Sequence, residues 1–400
     1  MVNLLFYFIG LCNRFNLSNS NISFGSGKSI QLSIFVLMVI CYHNMPAQQF
    51  GFLEPANTYL FNEAYTVEPL PSKLQSDSSK NKSSKKPEIG GVIQVHFLEQ
   101  FNTNGDTIDD PAGFRILRAR LEVKGIINDF TTYEIMIDPR APENTGILRD
   151  AFIAFDLGIN QSLRVGQQKT QFGFENRESS NRLYFVNRTE MSDNLSRGAN
   201  LRDIGLGLIG DIKINDKWRF ENAITFTNGS KINVAGPWEF SKVKNTWARA
   251  GLRYKTKDIT IWTGLSGGKG GYTDVGNLLT DPVDDAFIKF ERYGVDVEVD
   301  NKFIFFASEY VGGKEVINDT ISYPFGYYGI LAAKTKYKIG PAIRYDVLDD
   351  EWKRWTLCAY YGLPKDKLRL MVNYEFRGYI APETLYGHDD RLYIQLQVVF

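Results

Sequence analysis

The stretch Arg391-Leu-Tyr-Ile-Gln-Leu-Gln-Val-Val-Phe400 decides the fold. Its alternate residues are apolar, namely Leu392, Ile394, Leu396, Val398 and Phe400. Successive side chains of a β-strand point to opposite faces, so these five side chains share one face. A wholly apolar face about ten residues long is what a strand in contact with lipid requires. We therefore predict a strand here whose outer face contacts a membrane.

Fifteen further segments show strand patterns, and two of them alternate as cleanly as the last. In residues 114–125, Leu117, Ala119, Leu121 and Val123 alternate with charged residues, and residues 367–377 repeat this pattern. The predicted strands are 92–101, 114–125, 130–138, 151–157, 162–169, 205–214, 218–227, 247–255, 259–266, 287–299, 302–311, 326–337, 341–346, 354–361, 367–377 and 391–400. The chain is thus predicted to be all-β.

The predicted connections alternate strictly between long and short. Residues 102–113, 170–204 and 347–353 are among the long connections, whereas 126–129 and 215–217 are among the short ones. One end of the sheet then carries loops and the other tight turns, as in a transmembrane antiparallel up-and-down β-barrel of about sixteen strands. A soluble sandwich or propeller is the alternative, but sixteen amphipathic strands would leave it with a large apolar surplus. No run of eighteen apolar residues follows residue 47, which excludes a helical membrane protein.

The residues before the barrel are predicted to serve export. Lys28, an apolar run over 30–41 and Ala47 indicate a signal peptide within residues 1–47, preceded by an upstream extension of the start site. Residues 48–89 are rich in serine and lysine and predict a flexible periplasmic segment. The barrel is predicted to occupy residues 90–400.

Composition excludes several function classes. The chain has 46 basic and 46 acidic residues, whereas a nucleic-acid binder needs a basic surplus. Beyond the predicted leader only Cys358, His96 and His388 remain of the cysteines and histidines, with no paired spacing. This set gives no disulfide, metal site or thiol catalysis, and we expect no cofactor.

The order of motifs over residues 114–175 resembles a known family. Phe114-Arg-Ile-Leu-Arg-Ala-Arg-Leu-Glu-Val-Lys-Gly125 is followed by Tyr133-Glu-Ile-Met-Ile-Asp138 and Leu163-Arg-Val-Gly-Gln-Gln-Lys-Thr-Gln-Phe-Gly-Phe-Glu175. This series is similar to the phosphate-selective porin O and P family of Gram-negative outer membranes. Gln171 stands where the family pattern has proline. The resemblance implies a sixteen-stranded, trimeric diffusion channel, with passive passage of small hydrophilic solutes and no enzymatic activity.

Strand parity predicts which charges line the lumen. If the apolar face of each strand contacts lipid, the charged face must point inward, because a cation at the bilayer midplane costs about 2–4 kcal/mol. The predicted pore-lining residues are Arg118, Arg120, Lys124, Arg249, Arg253, Arg369 and Arg377. Arginines along one wall would pass an anion onward by weak binding at each step. Glu122 and Glu375 share these walls, so anion or phosphate preference and non-selective or sugar conduction both stay open.

The third long connection, residues 170–204, is predicted to fold into the lumen and narrow it. Its predicted constriction arginines are Arg177, Arg182, Arg188, Arg197 and Arg202. Five acidic residues accompany them, namely Glu175, Glu178, Glu190, Asp193 and Asp203. The balance argues against a purely cationic constriction.

Further expectations concern the rims and the assembly of the barrel. Trp218, Trp352 and Trp355 are predicted to belong to interfacial girdles, and residues 264–271, rich in glycine, to a flexible external loop. Phe400 is the expected signal for the outer-membrane assembly machinery. A barrel enzyme relying on His96 and a closed structural barrel are the remote alternatives. The expected partners are membrane lipid, small solutes or anions and two further copies of the chain.

Overall fold

The computed structural model describes residues 86–102, 112–140, 147–196, 202–229, 243–274, 286–317, 319–349, 352–379 and 389–400. The predicted leader, most of the predicted serine- and lysine-rich segment, Arg197 and His388 lie outside these residues. None of the described residues forms a helix long and apolar enough to cross a membrane.

Strands make up nearly all of the described structure. They are β1 Glu88–Asn102, β2 Ala112–Asn128, β3 Thr131–Ile137, β4 Leu148–Asp156, β5 Gln161–Lys169, β6 Arg202–Lys213, β7 Trp218–Thr227, β8 Asn245–Lys255, β9 Ile259–Asp274, β10 Ala286–Asn301, β11 Ile304–Ile317, β12 Thr320–Ser322, β13 Phe325–Ala333, β14 Ile339–Leu348, β15 Trp352–Tyr361, β16 Leu368–Tyr379 and β17 Asp389–Val399. One short helix, α1 Glu190–Leu195, lies between β5 and β6.

The sheet closes on itself. Apart from β12, each strand pairs antiparallel with the next strand in the chain, and β1 pairs with both β2 and β17. The three-residue strand β12 pairs with β11 alone, while β11 also pairs with β13, so β12 stands outside the ring. Sixteen strands therefore form a closed antiparallel barrel, which confirms the predicted fold.

The alternation of side chains follows the prediction in the closing strand. In β17 the side chains of Ile394, Leu396 and Val398 are exposed on the outer surface, whereas Gln395 and Gln397 are buried inside the barrel. The closing strand therefore presents an apolar face outward and a polar face to the interior.

A bulge in β2 makes one predicted orientation wrong. Gln94 pairs with Arg118 but Val95 pairs with Ile116, so Leu117 is an extra residue in β2. One extra residue shifts the alternation, so that side chains before and after the bulge no longer follow a single inward–outward pattern. Leu117 is consequently only 5% exposed and joins the buried cluster instead of facing lipid, while Ile116 is exposed.

Several strands extend further than predicted. The connection between β14 and β15 is only residues 349–351, so the predicted long connection 347–353 is wrong. The glycine-rich residues 264–271 lie within β9 and do not form a loop. Glycine fits there because large inward side chains cover the strand: a Cβ at Gly268 would lie 2.3 Å from Cε3 of Trp247.

The predicted girdle tryptophans divide between the two faces. Trp218 and Trp355 are exposed outward, and each lies against a tyrosine, Tyr254 at 4.8 Å and Tyr345 at 4.5 Å between ring centroids. Trp352 is buried instead, beneath the guanidinium of Arg354 at 4.9 Å. The girdle prediction for Trp352 is wrong because β15 begins at this residue with its side chain inward.

Candidate solute pathway

The third long connection lies inside the barrel, and apolar contacts hold it there. The ring of Tyr184 packs against Phe305 at 4.8 Å and Tyr360 at 5.3 Å between centroids. Phe172, at the start of the connection, packs against Trp247 at 5.3 Å. These residues belong to one buried cluster that joins the connection to the barrel wall. The interior is therefore narrowed by a packed segment.

Hydrogen bonds within this segment, residues 170–196, fix its shape. The Glu175 carboxylate accepts from the backbone N–H of Thr189 at 2.9 Å and from its hydroxyl at 2.6 Å. Thr189 in turn caps α1, accepting from the N–H of Ser192 at 3.1 Å. Arg188 donates to the carbonyls of Glu175 and Glu178. The two ends of the segment are thus tied together.

A buried ion network fastens the segment to β14, β15 and β16. Arg354 donates to Asp346 at 3.1 Å, to Glu375 at 3.1 Å and to the carbonyl of Arg188 at 2.6 Å. Arg344 donates to the carbonyl of Asn187 at 2.6 Å. Buried charges persist only when they are paired and hydrogen-bonded, so these two arginines are structural anchors.

A second network fastens the start of the segment to β7–β11. Arg249 pairs with Asp296 through a hydrogen bond of 2.8 Å, and Arg177 pairs with Glu221. The N–H of Glu175 donates to the Glu309 carboxylate at 3.0 Å. The segment is therefore bonded to β7–β11 as well as to β14–β16.

Two ionisable side chains of the segment, which lies outside the spanning strands, have raised pKa values. Burial raises the pKa of the Glu178 carboxyl above its ordinary value, even though Arg182, Lys169, Arg188 and Arg177 act in the opposite direction. Burial also raises the pKa of the Tyr184 hydroxyl. Both shifts have the same cause, which is the burial of these groups in the packed segment.

A cavity of about 150 Å³ remains between the segment and the wall formed by β1–β5. Ser179 and Asn181 of the segment line one side, and Gly90, Gly91 and Phe400 lie at the end with short turns. Its charged lining consists of Arg120, Lys124, Arg164 and Lys169 with Glu122, Glu134 and Asp150. Basic groups thus exceed acidic groups by one.

The charged groups of the cavity differ in how they are neutralised. Arg120 pairs with Asp138 at 3.0 Å and Lys124 with Glu122 at 3.0 Å. Arg164 has no ion pair among the described residues; its guanidinium lies 4.8 Å from the ring centroid of Phe152. The Nε of Arg164 is buried and has no hydrogen-bond partner in the described part of the chain. Arg164 is therefore the cavity cation most available to a solute.

The residues predicted to line the lumen are all inward but do not form one wall. Arg120 and Lys124 reach the cavity. Arg118 donates to Gln94 at 2.6 Å, Arg253 to Asp211 at 2.9 Å and Arg377 to Glu190 at 3.3 Å. Arg249 holds Asp296, as described above, and Arg369 donates to the carbonyls of Asn181 at 3.0 Å and Leu183 at 2.8 Å. Most of them bind the protein itself.

The predicted constriction arginines are dispersed as well. Arg177 and Arg188 are buried within the segment, and Arg182 is half-buried there. Arg202 is the first residue of β6 and not part of the loop, because its side chain pairs with Asp150 of β4 at 2.5 Å. Arg197 lies outside the described residues.

Sequence reasoning missed Arg164, Arg344 and Arg354. The alternation of inward and outward side chains is the sequence signal that indicates two of them. Arg354 alternates with the exposed Trp355 and Leu357, and Arg344 with the exposed Ile343.

Comparison with known proteins supports the same fold class. Residues 88–246 match the family model described as phosphate-selective porin O and P, which confirms the resemblance and the expected outer-membrane location. No curated protein is similar enough in sequence to match the chain.

Solved structures similar to this chain include an outer-membrane protein of Vibrio cholerae. OmpT lacking loop L8, an outer membrane protein of Vibrio cholerae, has a TM-score of 0.53 and 10% sequence identity, covering 79% of this chain and 99% of that one. OprB of Pseudomonas putida at high pH has a TM-score of 0.53 and 11% identity, covering 79% and 94%. Salmonella typhi OmpF in complex with daunomycin has a TM-score of 0.51 and 14% identity, covering 80% and 99%.

Proposed function

We propose that this outer-membrane barrel, related to the phosphate-selective porin O and P family, is a passive channel for small hydrophilic solutes that favours anions. The observation that supports this most directly is Arg164, a buried cation without an ion pair among the described residues, beside the cavity along β1–β5. Of the other cations that line the cavity, Arg120 and Lys124 pair with carboxylates and Lys169 donates to a backbone carbonyl.

The proposed passage follows the wall of β1–β5. The segment 170–196 is bonded to β7–β11 and to β14–β17, and its Ser180 also accepts hydrogen bonds from Gln94 of β1 and Arg120 of β2. We place the passage in the space that remains, where Ser179 and Asn181 face the basic wall. An anion is attracted there by Arg164 and Lys169, while Glu134 and Asp150 keep binding weak enough for release. No bond is made or broken.

The first prediction is that Arg164→Gln lowers anion selectivity several-fold. Removing the cation without an ion pair removes the attraction but leaves every described ion pair intact. The measurement is the reversal potential in a planar bilayer under a potassium chloride gradient, together with block of the current by inorganic phosphate. Phosphate block weakens in the variant if the cavity favours that anion.

Arg253→Gln is the matched control. It also removes one inward positive charge, but from the wall of β7 and β8, where Arg253 and Arg219 share Asp211. The reversal potential of this variant should stay close to that of the original protein. Equal shifts in the two variants would show that only the total charge matters and would refute the proposed path.

Two further assignments accompany this function. We propose a homotrimer, since an OmpT structure from Vibrio cholerae is described as a trimer form; cross-linking in membranes tests it. We propose no enzymatic role. His96, on which a hydrolase would depend, packs edge-on against Tyr393 at 5.6 Å, and neither ring nitrogen has a hydrogen-bond partner among the described residues.

A further inference from the structure

A groove of about 730 Å³ lies along β8–β11, towards their ends with long connections. Its exposed charged side chains, those of Lys269, Lys289 and Glu291, alternate with the buried, inward-facing Ile288 and Phe290. The groove is therefore on the outside of the barrel and separate from the solute path. In outer-membrane barrels the long connections are extracellular, so this is the extracellular rim.

The groove is strongly basic. Lys244, Lys269, Lys289 and Lys314 line it, with Glu291 as the carboxylate among the described lining residues. Glu291 is bonded to Lys269 at 2.8 Å, and Lys244 donates to Asn228 at 3.3 Å. Lys314 and Lys289 flank Glu291, across the strand pair and along β10. A surplus of positive charge thus faces outward at this rim.

Glycine gives the groove its depth. A Cβ at Gly267, which shares the outer face with Lys269, would approach only the carbonyl of Arg292, at 4.0 Å. The outer side of β9 is therefore open at this position. Behind it, the indole of Trp247 packs on Gly268 from the interior. The packing inside the barrel thus requires glycine at position 268, while Gly267 leaves room on the outer face.

The depth of the groove relative to the membrane follows from β10. Its outer side chains run from Val299 through Val297 and Val295 to Tyr293, whose ring lies 6.3 Å from that of Tyr310 on β11. Tyrosine at the end of an apolar strand face marks a membrane interface. Glu291 and Lys289 lie roughly 7 and 13 Å beyond Tyr293 along the strand, at about 3.3 Å per residue. This places the lysines at the level of lipid headgroups.

We propose that this groove binds the phosphorylated headgroup of an outer-leaflet glycolipid. Lysines at headgroup depth attract anionic lipid phosphate, and a glycine floor admits a sugar ring that larger side chains would exclude. A lipid is the expected occupant because the groove opens sideways from the apolar wall below Tyr293, where acyl chains lie.

The second prediction is that the double variant K289Q/K314Q retains bis-phosphorylated lipid A about tenfold less than the original protein. Purified full-length protein is delipidated in detergent, incubated with defined amounts of lipid A and measured by native mass spectrometry. K289R/K314R should keep the affinity, because charge is conserved. Gly267→Leu should weaken retention by filling the groove without any change in charge.

The control variant is K365Q/K367Q, which removes two exposed lysines at the opposite rim, between β15 and β16. It should retain lipid A fully, and all variants should keep their single-channel conductance, which also verifies folding. Equal retention by K289Q/K314Q and the original protein would overturn the proposal. Equal retention of dephosphorylated lipid, or displacement by millimolar inorganic phosphate alone, would also overturn it, the latter assigning the groove to a free anion.

Discussion

At the scale of single residues, most inward cations hold the structure together. Arg354 has three partners, since Asp346, Glu375 and the carbonyl of Arg188 all accept its hydrogen bonds. Alternation in the sequence shows that such a side chain points inward, but not whether it meets solvent or a partner. Arg369 illustrates this limit: it was predicted to line the pore, yet it donates to Asn181 and Leu183, more than 180 positions away.

The third prediction concerns this network. Arg354→Met should destabilise the barrel by about 3–5 kcal/mol, because it leaves the buried Asp346 and Glu375 with Arg344 as their remaining cation of this network. The double variant Arg354→Met/Glu375→Met should recover part of the loss. Urea unfolding in lipid vesicles, followed by tryptophan fluorescence, measures both free energies. A double variant less stable than the single one would contradict the pairing.

At the scale of elements, strand positions were predictable and strand ends were not. Alternation places β2 and β16 correctly, because half-buried strands repeat with a period of two. The bulge at Leu117 could not be recognised in the sequence. The residues on both sides of an extra residue still fit a simple alternation of apolar and polar side chains. The extension of β9 was hidden by its glycines, which indicate a loop unless the inward Trp247 is known to cover them.

The path of the segment, residues 170–196, depends on the backbone conformation of one glycine. Gly173 has φ of +67°, and a Cβ there would lie 2.1 Å from Oε1 of Glu309. Its N–H donates to the hydroxyl of Ser266 at 3.0 Å, where the segment leaves the wall. The turn thus sets the direction in which residues 174–196 cross the interior.

The fourth prediction is that Gly173→Ala displaces the segment, at a cost of about 1–2 kcal/mol for the left-handed backbone. Open-channel current noise should rise, and limited proteolysis should cut within residues 174–196 faster. Gly329→Ala, on β13 with open space around its Cα, is the control and should behave as the original protein. Unchanged noise and unchanged cleavage in Gly173→Ala would show that the segment is fixed by its other contacts.

At the scale of the whole molecule, closure was the most predictable property. An open sheet edge in lipid leaves backbone N–H and C=O groups without hydrogen bonds. Sixteen amphipathic strands in a membrane must therefore close into a ring. The seam joins β1 and β17 over a register that includes Val92 with Val399 and His96 with Gln395. The position of the cavity was not predictable, because it depends on where the inner segment packs.

The fifth prediction tests the seam at Phe400. Its N–H donates to the carbonyl of Gly91 at 3.1 Å, its carbonyl accepts from the N–H of Gly91 at 3.0 Å, and its ring covers the position where a Gly91 Cβ would be, 2.5 Å from Cζ.

Phe400→Ala should lower the amount of folded barrel in the outer membrane several-fold, because the last contact between the closing strands loses its apolar part. Molecules that do fold should keep their single-channel conductance, since the ring lies at the rim of the cavity and not beside Arg164. Phe303→Ala, which removes another exposed outer ring from the turn between β10 and β11, is the control and should assemble normally. Normal levels of folded Phe400→Ala would mean that strand pairing alone closes the barrel.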